Sequence, residues 1–411
     1  MVDPTRQDLS IGQRIARHRH NAGLTQDGLA MRLFRSKSWV TKVERGERPI
    51  DSIRTLTEVA RALGVQVRDL TGQPWFPEPG GPGHEAVPAI RRALTALNPP
   101  PTRANGTPVV PRDPAALRRD VLDAGRLWQA EPACYSTVIP LLPDLLVESR
   151  LAAESDQANG QGREAARTLA YLDQLLQEVM ARLGESDLSW VAARSSLRAA
   201  EPVGDQVLEA ASMWRVCHAA LRVNNLDEIP GLAIATGEQL RRSLDDPSPA
   251  SLTVYGGLQL VAAIAAIRVG DPGEADRFLT EARQTAGQLG EGHNDYWMTF
   301  GPTNVAIHDV EVLLERGDPA GALRRAAAVD IDVLPSLERR STHYVHLAHA
   351  YVLRRAAAEA TAALLQAERF NPEGLRYHML ARDLVRALLR RERRAAMPGL
   401  RGLAGRLHLL G

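Results

Sequence analysis

The chain has 411 residues, 44% of them apolar and only 4% aromatic, with 50 Lys+Arg against 49 Asp+Glu. That length suggests two or three domains with buried cores, and an apolar fraction rich in Ala and Leu favours helix over strand. Cys134 and Cys217 stand far apart in no metal or redox spacing, and the most apolar run, Leu258 to Ile267, is short of the roughly 20 residues a bilayer span needs. The expectation is a reduced, cytoplasmic chain with no membrane segment, no metal and no cofactor.

The net charge of +1 is unevenly placed. Residues 1–72 hold 13 Lys+Arg against 8 Asp+Glu, a net of +5, and the remainder holds 37 against 41, a net of −4. A basic head on a neutral or acidic body suits a polyanionic partner for the head. The two lysines of the chain, Lys37 and Lys42, both fall in one short segment of that head.

Residues 11–70 read as five short helices. The first runs from Ile11 to Asn21, with Ile11, Ile15 and His18 or Arg19 at helical spacing, and Ala22-Gly23 ends it. Thr25 caps a second helix over 26–33, whose inward residues are Leu29, Ala30 and Leu33. After a turn at Phe34-Arg35, Ser36 caps a third helix over 37–45, with Val40 and Val43 inward and Gly46 as its stop. Ser52 caps the fourth, 53–63, Gly64 stops it, and 67–70 makes a last turn.

Residues 74–114 are rich in Pro and Gly, a composition that reads as an extended linker, with one helical island over 89–97. From 115 the sequence is helix after helix: 115–129, 136–154, 162–183, 187–200, 205–223, 231–244, 250–269, 273–289, 303–316, 319–328, 336–356, 358–369 and 373–390. Short loops and the lack of a strand signal leave a bundle or a solenoid. The offsets Leu347-Ala348, Tyr351, Ala360, Leu364, Ala367 and Pro372, echoed by Ala275, Leu279 and Ala282 after Gly270-Asp271 and by Ala322, Ala326 and Val329 after Gly317-Asp318, favour a divergent tetratricopeptide-like solenoid. The domains are therefore 1–73, a linker 74–114, and 115–411.

The segment Leu24-Thr25-Gln26-Asp27-Gly28-Leu29-Ala30, followed by Ser36-Lys37-Ser38-Trp39-Val40-Thr41-Lys42-Val43-Glu44-Arg45-Gly46, resembles the XRE family of helix-turn-helix regulators, the class of the phage lambda and Cro repressors. The resemblance covers about 60 residues and takes in Leu56, Ala60, Leu63, Gly64 and Leu70. It implies that the third helix enters the major groove and that the second crosses the phosphate backbone. Lys37, Ser38, Trp39, Thr41 and Lys42, with the cap Ser36, then face the bases, where lysine can donate to guanine and Ser or Thr can serve several bases. Gln26 would contact phosphate and brace its neighbour, and Arg35, Arg45 and Arg48 are placed for phosphates. Trp39 replaces the small residue usual there; it either packs on DNA or covers the domain surface. Glu44 is read as a partner for a nearby Arg or a helix cap.

The whole chain resembles actinobacterial XRE regulators with a tetratricopeptide-type second domain, through Asp187-Leu188-Ser189-Trp190-Val191-Ala192-Ala193 and Phe300-Gly301-Pro302-Thr303-Asn304-Val305. The implied fold is all-α: a five-helix helix-turn-helix domain, a Pro/Gly-rich linker and an α-solenoid. The implied role of the solenoid is sensing or oligomerisation; in related peptide-sensing regulators its concave groove holds a short peptide. If the first helix of each pair faces inward, the groove candidates are Trp214, His218 and Arg222, one face of one helix, with Asn304, Glu311 and His349 on later helices. An aromatic, a histidine and an arginine together could seat an anionic or carboxylate-bearing ligand, or Trp214 is core and Arg222 a solvated end. His343, His346 and His349 step by three residues, so the first and last imidazoles diverge by about 120° around the helix and make a poor metal site.

The expected function is a dimeric regulator that binds a palindromic double-stranded DNA operator, modulated by a small molecule, peptide or protein partner in the solenoid. The alternative is an adaptor whose solenoid docks a protein and whose DNA binding only localises the complex. An enzyme is not expected, since the sequence has no phosphate loop, nucleophile elbow or His-Glu metal helix.

Overall fold

The structure is a computed structural model. It describes residues 10–33, 35–48, 50, 53–63, 65, 70, 83–96, 106–108, 112–155, 162–223, 225–242, 247–390 and 397–410, with backbone only at 53, 54, 56, 57, 61 and 155. The expected turn at Phe34, the cap Ser52, the stop Gly64, the turn over 67–69, the side chain of Leu56 and much of 74–114 lie outside that description. Two compact units divide the chain, Met1–Gly81 and Pro82–Gly411. Both are helical, and the described residues include no strand; an isolated bridge joins His293 and Phe300.

In the first unit the helices are α1 (Ile11–Asn21), α2 (Gln26–Arg32), α3 (Lys37–Glu44) and α4 (Ile53–Leu63). The starts of α1, α2 and α3 follow from a side-chain acceptor for the free N–H groups of the first turn. Ser10 and Gln13 form a reciprocal capping box, Thr25 accepts from Gly28 N, and Ser36 accepts from Trp39 N. Ile15, Leu29, Ala30, Leu33, Val40, Val43, Val59, Ala60, Leu63 and Leu70 form the core. At Gly12 a Cβ would lie 2.2 Å from the Val43 carbonyl oxygen, so only glycine lets α1 sit this close to α3. The helices α2 and α3 end one residue before the sequence-based bounds, within the usual fraying of helix ends.

The second unit begins with α5 (Val87–Thr95). This helix, read from sequence as an island in a linker, buries Val87, Ile90, Ala93 and Leu94 in the unit's first core cluster. Arg91 reaches Glu185 at 2.8 Å and Arg150 donates to the Ala93 and Leu94 carbonyls, tying down the middle and the last turn of α5. Next come α6 (Pro114–Ala130), α7 (Cys134–Val138), α8 (Leu142–Ser155), α9 (Gly162–Leu183), α10 (Ser186–Ala200), α11 (Gln206–Arg222), α12 (Ile229–Arg242), α13 (Pro249–Val269) and α14 (Pro272–Leu289). The chain ends with α15 (Pro302–Glu315), α16 (Pro319–Ala326), α17 (Leu337–Leu353), α18 (Ala357–Phe370), α19 (Pro372–Tyr377), α20 (Met379–Leu389) and α21 (Leu400–Arg406). A recurring pair sets the starts: Asp113, Ser248, Asp271, Asp318 and Asn371 each cap a helix whose first residue is proline. The cap satisfies a free N–H, and proline has none to satisfy.

From α9 onward the helices form antiparallel hairpins, and their first members pack side by side in the order α6, α9, α11, α13, α15, α17, α20. The row curls until α17 meets α6. At that closure Ser136 N donates to Glu373 at 3.0 Å, Tyr135 and Tyr377 stack at 5.1 Å, and Arg182 pairs with Glu338 at 2.7 Å.

Three sequence expectations need correction. The helix expected over 136–154 is broken into α7, a 3-10 turn at Ile139–Leu141 and α8, because Pro140 and Pro143 cannot donate within a continuous helix. The helix over 373–390 breaks at His378, which caps α20. Helix α13 is long and apolar enough to cross a membrane by length and composition, although the apolar run within it looked too short. Here most of its residues are buried among neighbouring helices.

Candidate DNA interface and interior recess

The first site is the outer face of α3. Val40 and Val43 fix the helix to the core, which leaves Lys37, Ser38 and Lys42 exposed and Trp39 half-buried. Ser36 spends its hydroxyl on the cap. Trp39 packs partly on the core, with the Arg35 guanidinium 5.7 Å from its ring, so it has one covered and one open face. Lys37 reaches Asp27 at 2.7 Å in an exposed pair. Arg45 and Arg48 follow in the exposed turn after α3, and Arg45 lies 3.9 Å from Glu47.

Behind this face lies a polar clamp. Arg19 Nε and Nη2 donate to the two Glu44 oxygens at 2.6 and 3.0 Å, with both side chains less than a tenth exposed. Gln26 Nε2 donates to Glu44 at 2.8 Å, and Thr41 Oγ1 donates to Gln26 Oε1 at 3.0 Å. Burial alone would raise the Glu44 carboxyl, but the bonds from Arg19 and Gln26 outweigh it and hold the group below the usual range. Gln26 and Thr41 thus connect α2 and α3 to a fixed anchor on α1. The spacing of α1 had left His18 and Arg19 as alternatives; Arg19 is the buried one.

The second site is a recess inside the curl of the second unit, with a volume of about 80 Å³. Its walls come from α6, α9, α11, α13, α15 and α17, the inner row, and from the segment 297–300. Trp214, His218, Arg222 and Asn304 all line it; Glu311 and His349 do not. Glu311 pairs instead with Arg268 at 3.2 Å, and His349 is half-buried elsewhere on α17. The Trp214 indole donates to the Gly257 carbonyl at 3.0 Å, and its ring meets His218 edge-on at 4.3 Å. Burial, then the nearby Arg215, pushes His218 well below the ordinary histidine range.

Sequence reasoning missed what fills most of this interior. Residues 293–300 plug it, with Tyr296, Trp297 and Thr299 at φ of 51°, 57° and 48°. Such left-handed conformations cost about 1–3 kcal/mol each for residues with a side chain. They are held by Arg215 on the Tyr296 carbonyl at 3.0 Å, Gln129 on the Trp297 carbonyl at 2.8 Å, and Asn294 on the Thr299 amide at 3.1 Å. The plug fits because glycines face it: a Cβ at Gly125 would overlap Trp297, one at Gly256 Phe300, and one at Gly257 Met298. The glycines in helix interiors were the available signal.

Residues 10–71 match the family described as helix-turn-helix domain, which places such a domain at the N-terminus. The chain is 37% identical over 68 residues to multiprotein-bridging factor 1 of Eremothecium gossypii, a stretch of 16% of this chain and 44% of that relative, so it spans less than half of the relative's length. Among solved structures it is similar to Bacillus thuringiensis PlcR, crystallised in complex with the peptide PapR7 and DNA. That likeness covers 92% of this chain and 99% of PlcR, at 11% identity and a TM-score of 0.37.

Proposed function

We propose that the chain is a sequence-specific transcriptional regulator of the XRE class. It binds a palindromic operator as a homodimer and takes an effector in the recess of its tetratricopeptide-like second unit. The observation that carries the reading is the open face of α3: Lys37, Ser38 and Lys42 stand in water, backed by Val40, Val43 and the buried Arg19–Glu44–Gln26 clamp. A rigid helix offering donors and acceptors at its N-terminal end is what base-edge readout in the major groove requires. One such helix reads a half-site, which is the reason to expect two copies on a two-fold operator. An effector would act by binding two states of the second unit unequally.

The test is enrichment of genomic fragments by the purified chain at fixed, near-physiological salt, beside Lys37→Ala/Lys42→Ala. The reading expects a palindromic site that the double variant loses. Sites enriched equally by both proteins would show that α3 is not the reader, and no enriched site would favour the adaptor.

A further inference from the structure

We infer that the interior recess is a binding site for a compact oxyanion, a carboxylate or phosphate group, with Arg222 as its principal ligand. The inference rests on the effector reading and gives that effector a chemical class. Arg182, Arg215, Arg222 and Arg339 line the recess against only Glu178 and Glu338. The two glutamates are already committed. Glu178 holds Arg215 at 2.9 Å, and Glu338 holds Arg182 at 2.7 Å while accepting from Thr342 at 2.6 Å. Arg339 makes no carboxylate contact among the described residues; it donates to Asn304 at 2.9 Å and meets His308 at 3.2 Å. Arg222 has no hydrogen-bond or ion-pair partner among the described residues, yet it lies accessible at the end of α11 on the recess wall.

An accessible guanidinium with no fixed partner can close on an anion, and forked charge-assisted bonds to a carboxylate or phosphate are among the stronger hydrogen bonds. Other charges do not cancel this surplus. Arg268, behind the wall, is bracketed by Glu311 and Glu315 at 3.2 and 3.1 Å, which leaves those two carboxylates engaged. The histidines beside the recess do not add charge at neutral pH: burial pushes His308 down to about 4, and His218 is lowered as well. Arg222 stays charged at neutral pH in the positive field of Arg182 and Arg268. The remaining wall, from Trp214, Met298 and Phe300, is apolar, so a small organic acid or phosphate ester would have its body covered as its head is bound. The 80 Å³ available with the plug in place admits a compact ligand and excludes a drug-sized one, which needs about 300 Å³ or more.

The experiment is titration calorimetry of the full chain with succinate and with inorganic phosphate at constant ionic strength, with succinamide as the uncharged control. Thermal midpoints are measured on the same samples. Saturable binding by one of the anions and none by succinamide is expected, and the stronger anion names the head group. Arg222→Gln should weaken binding by about ten-fold or more. It should leave the midpoint of the empty protein unchanged, because the exposed Arg222 side chain makes no hydrogen bond or ion pair with the described residues; that separates a lost ligand from a lost fold. Equal binding by Arg222→Gln and the unaltered chain, or no saturable binding of either anion, would overturn the site. Operator affinity measured with and without the bound anion tests the effector role separately: an unchanged affinity would leave the site standing and remove the regulation.

Discussion

The first and second units hold their cations in opposite ways. On α3 the lysines stand in water, one of them in an exposed pair with Asp27, and their helix is braced from behind by a buried ion pair. In the second unit the arginines face inward on a closed row of helices, two of them bound to glutamates and one without a partner among the described residues. A cation in water can exchange its partners for a polyanion at little cost, and salt tunes that exchange. A walled cation selects for shape and charge together. The contrast is the ground for proposing polymer recognition by one unit and small-ligand recognition by the other.

Acid should separate the two units most strongly. In the second unit burial pushes His308, His343 and His378 down to about 4 and His346 to about 3. Groups held neutral when folded take up protons on unfolding, so this stability is full above about pH 6.5, the unfolded histidine value, and falls as pH drops toward 4. The Glu44 contribution in the first unit has a depressed carboxyl; it is present above the ordinary glutamate value and is lost only as pH falls below it. Hydrogen exchange across a pH series should show the amides of 302–389 opening at higher pH than those of 11–44. The reverse order would break the comparison.

Next in size is Glu44→Ala, which strands the buried Arg19 guanidinium. Removing one partner of such a pair costs about 3 kcal/mol or more. Amides of α1 to α3 should lose protection while those of the second unit keep theirs. Gly256→Ala drives a methyl into the Phe300 ring and should cost about 1–3 kcal/mol, read as a lower thermal midpoint of the second unit with DNA binding intact. The smallest effect is that of Asp27→Asn. It frees Lys37 from an exposed pair, so stability should hardly move while operator affinity rises a few-fold at low salt.

Much of this was legible in the sequence, and the reason is locality. The bounds of α1, the caps Thr25 and Ser36, the inward Val40 and Val43, and the inner placement of Trp214, His218 and Arg222 all follow from neighbours within a few residues. The Arg19–Glu44 clamp spans 25 residues, and its two ends carry no shared periodic signal. The same holds for the closure of Ser136 on Glu373, 237 residues apart, and for Gln129 on the Trp297 carbonyl. The breaks at Pro140 and at His378 differ in kind. The first was written in the sequence as proline spacing, whereas His378 carries no comparable mark, and the short α21 had too few periodic residues to stand out.

The central claim is that α3 reads bases while the flanking arginines hold the backbone. Selection from a randomised DNA pool, run in parallel on the unaltered chain, Lys42→Gln and Arg48→Gln, tests it most directly. Lys42→Gln should change or relax the preferred base at one position of each half-site, and Arg48→Gln should return the original sequence with uniformly weaker binding. The same selected sequence from Lys42→Gln and the unaltered chain, or a changed one from Arg48→Gln, would contradict it.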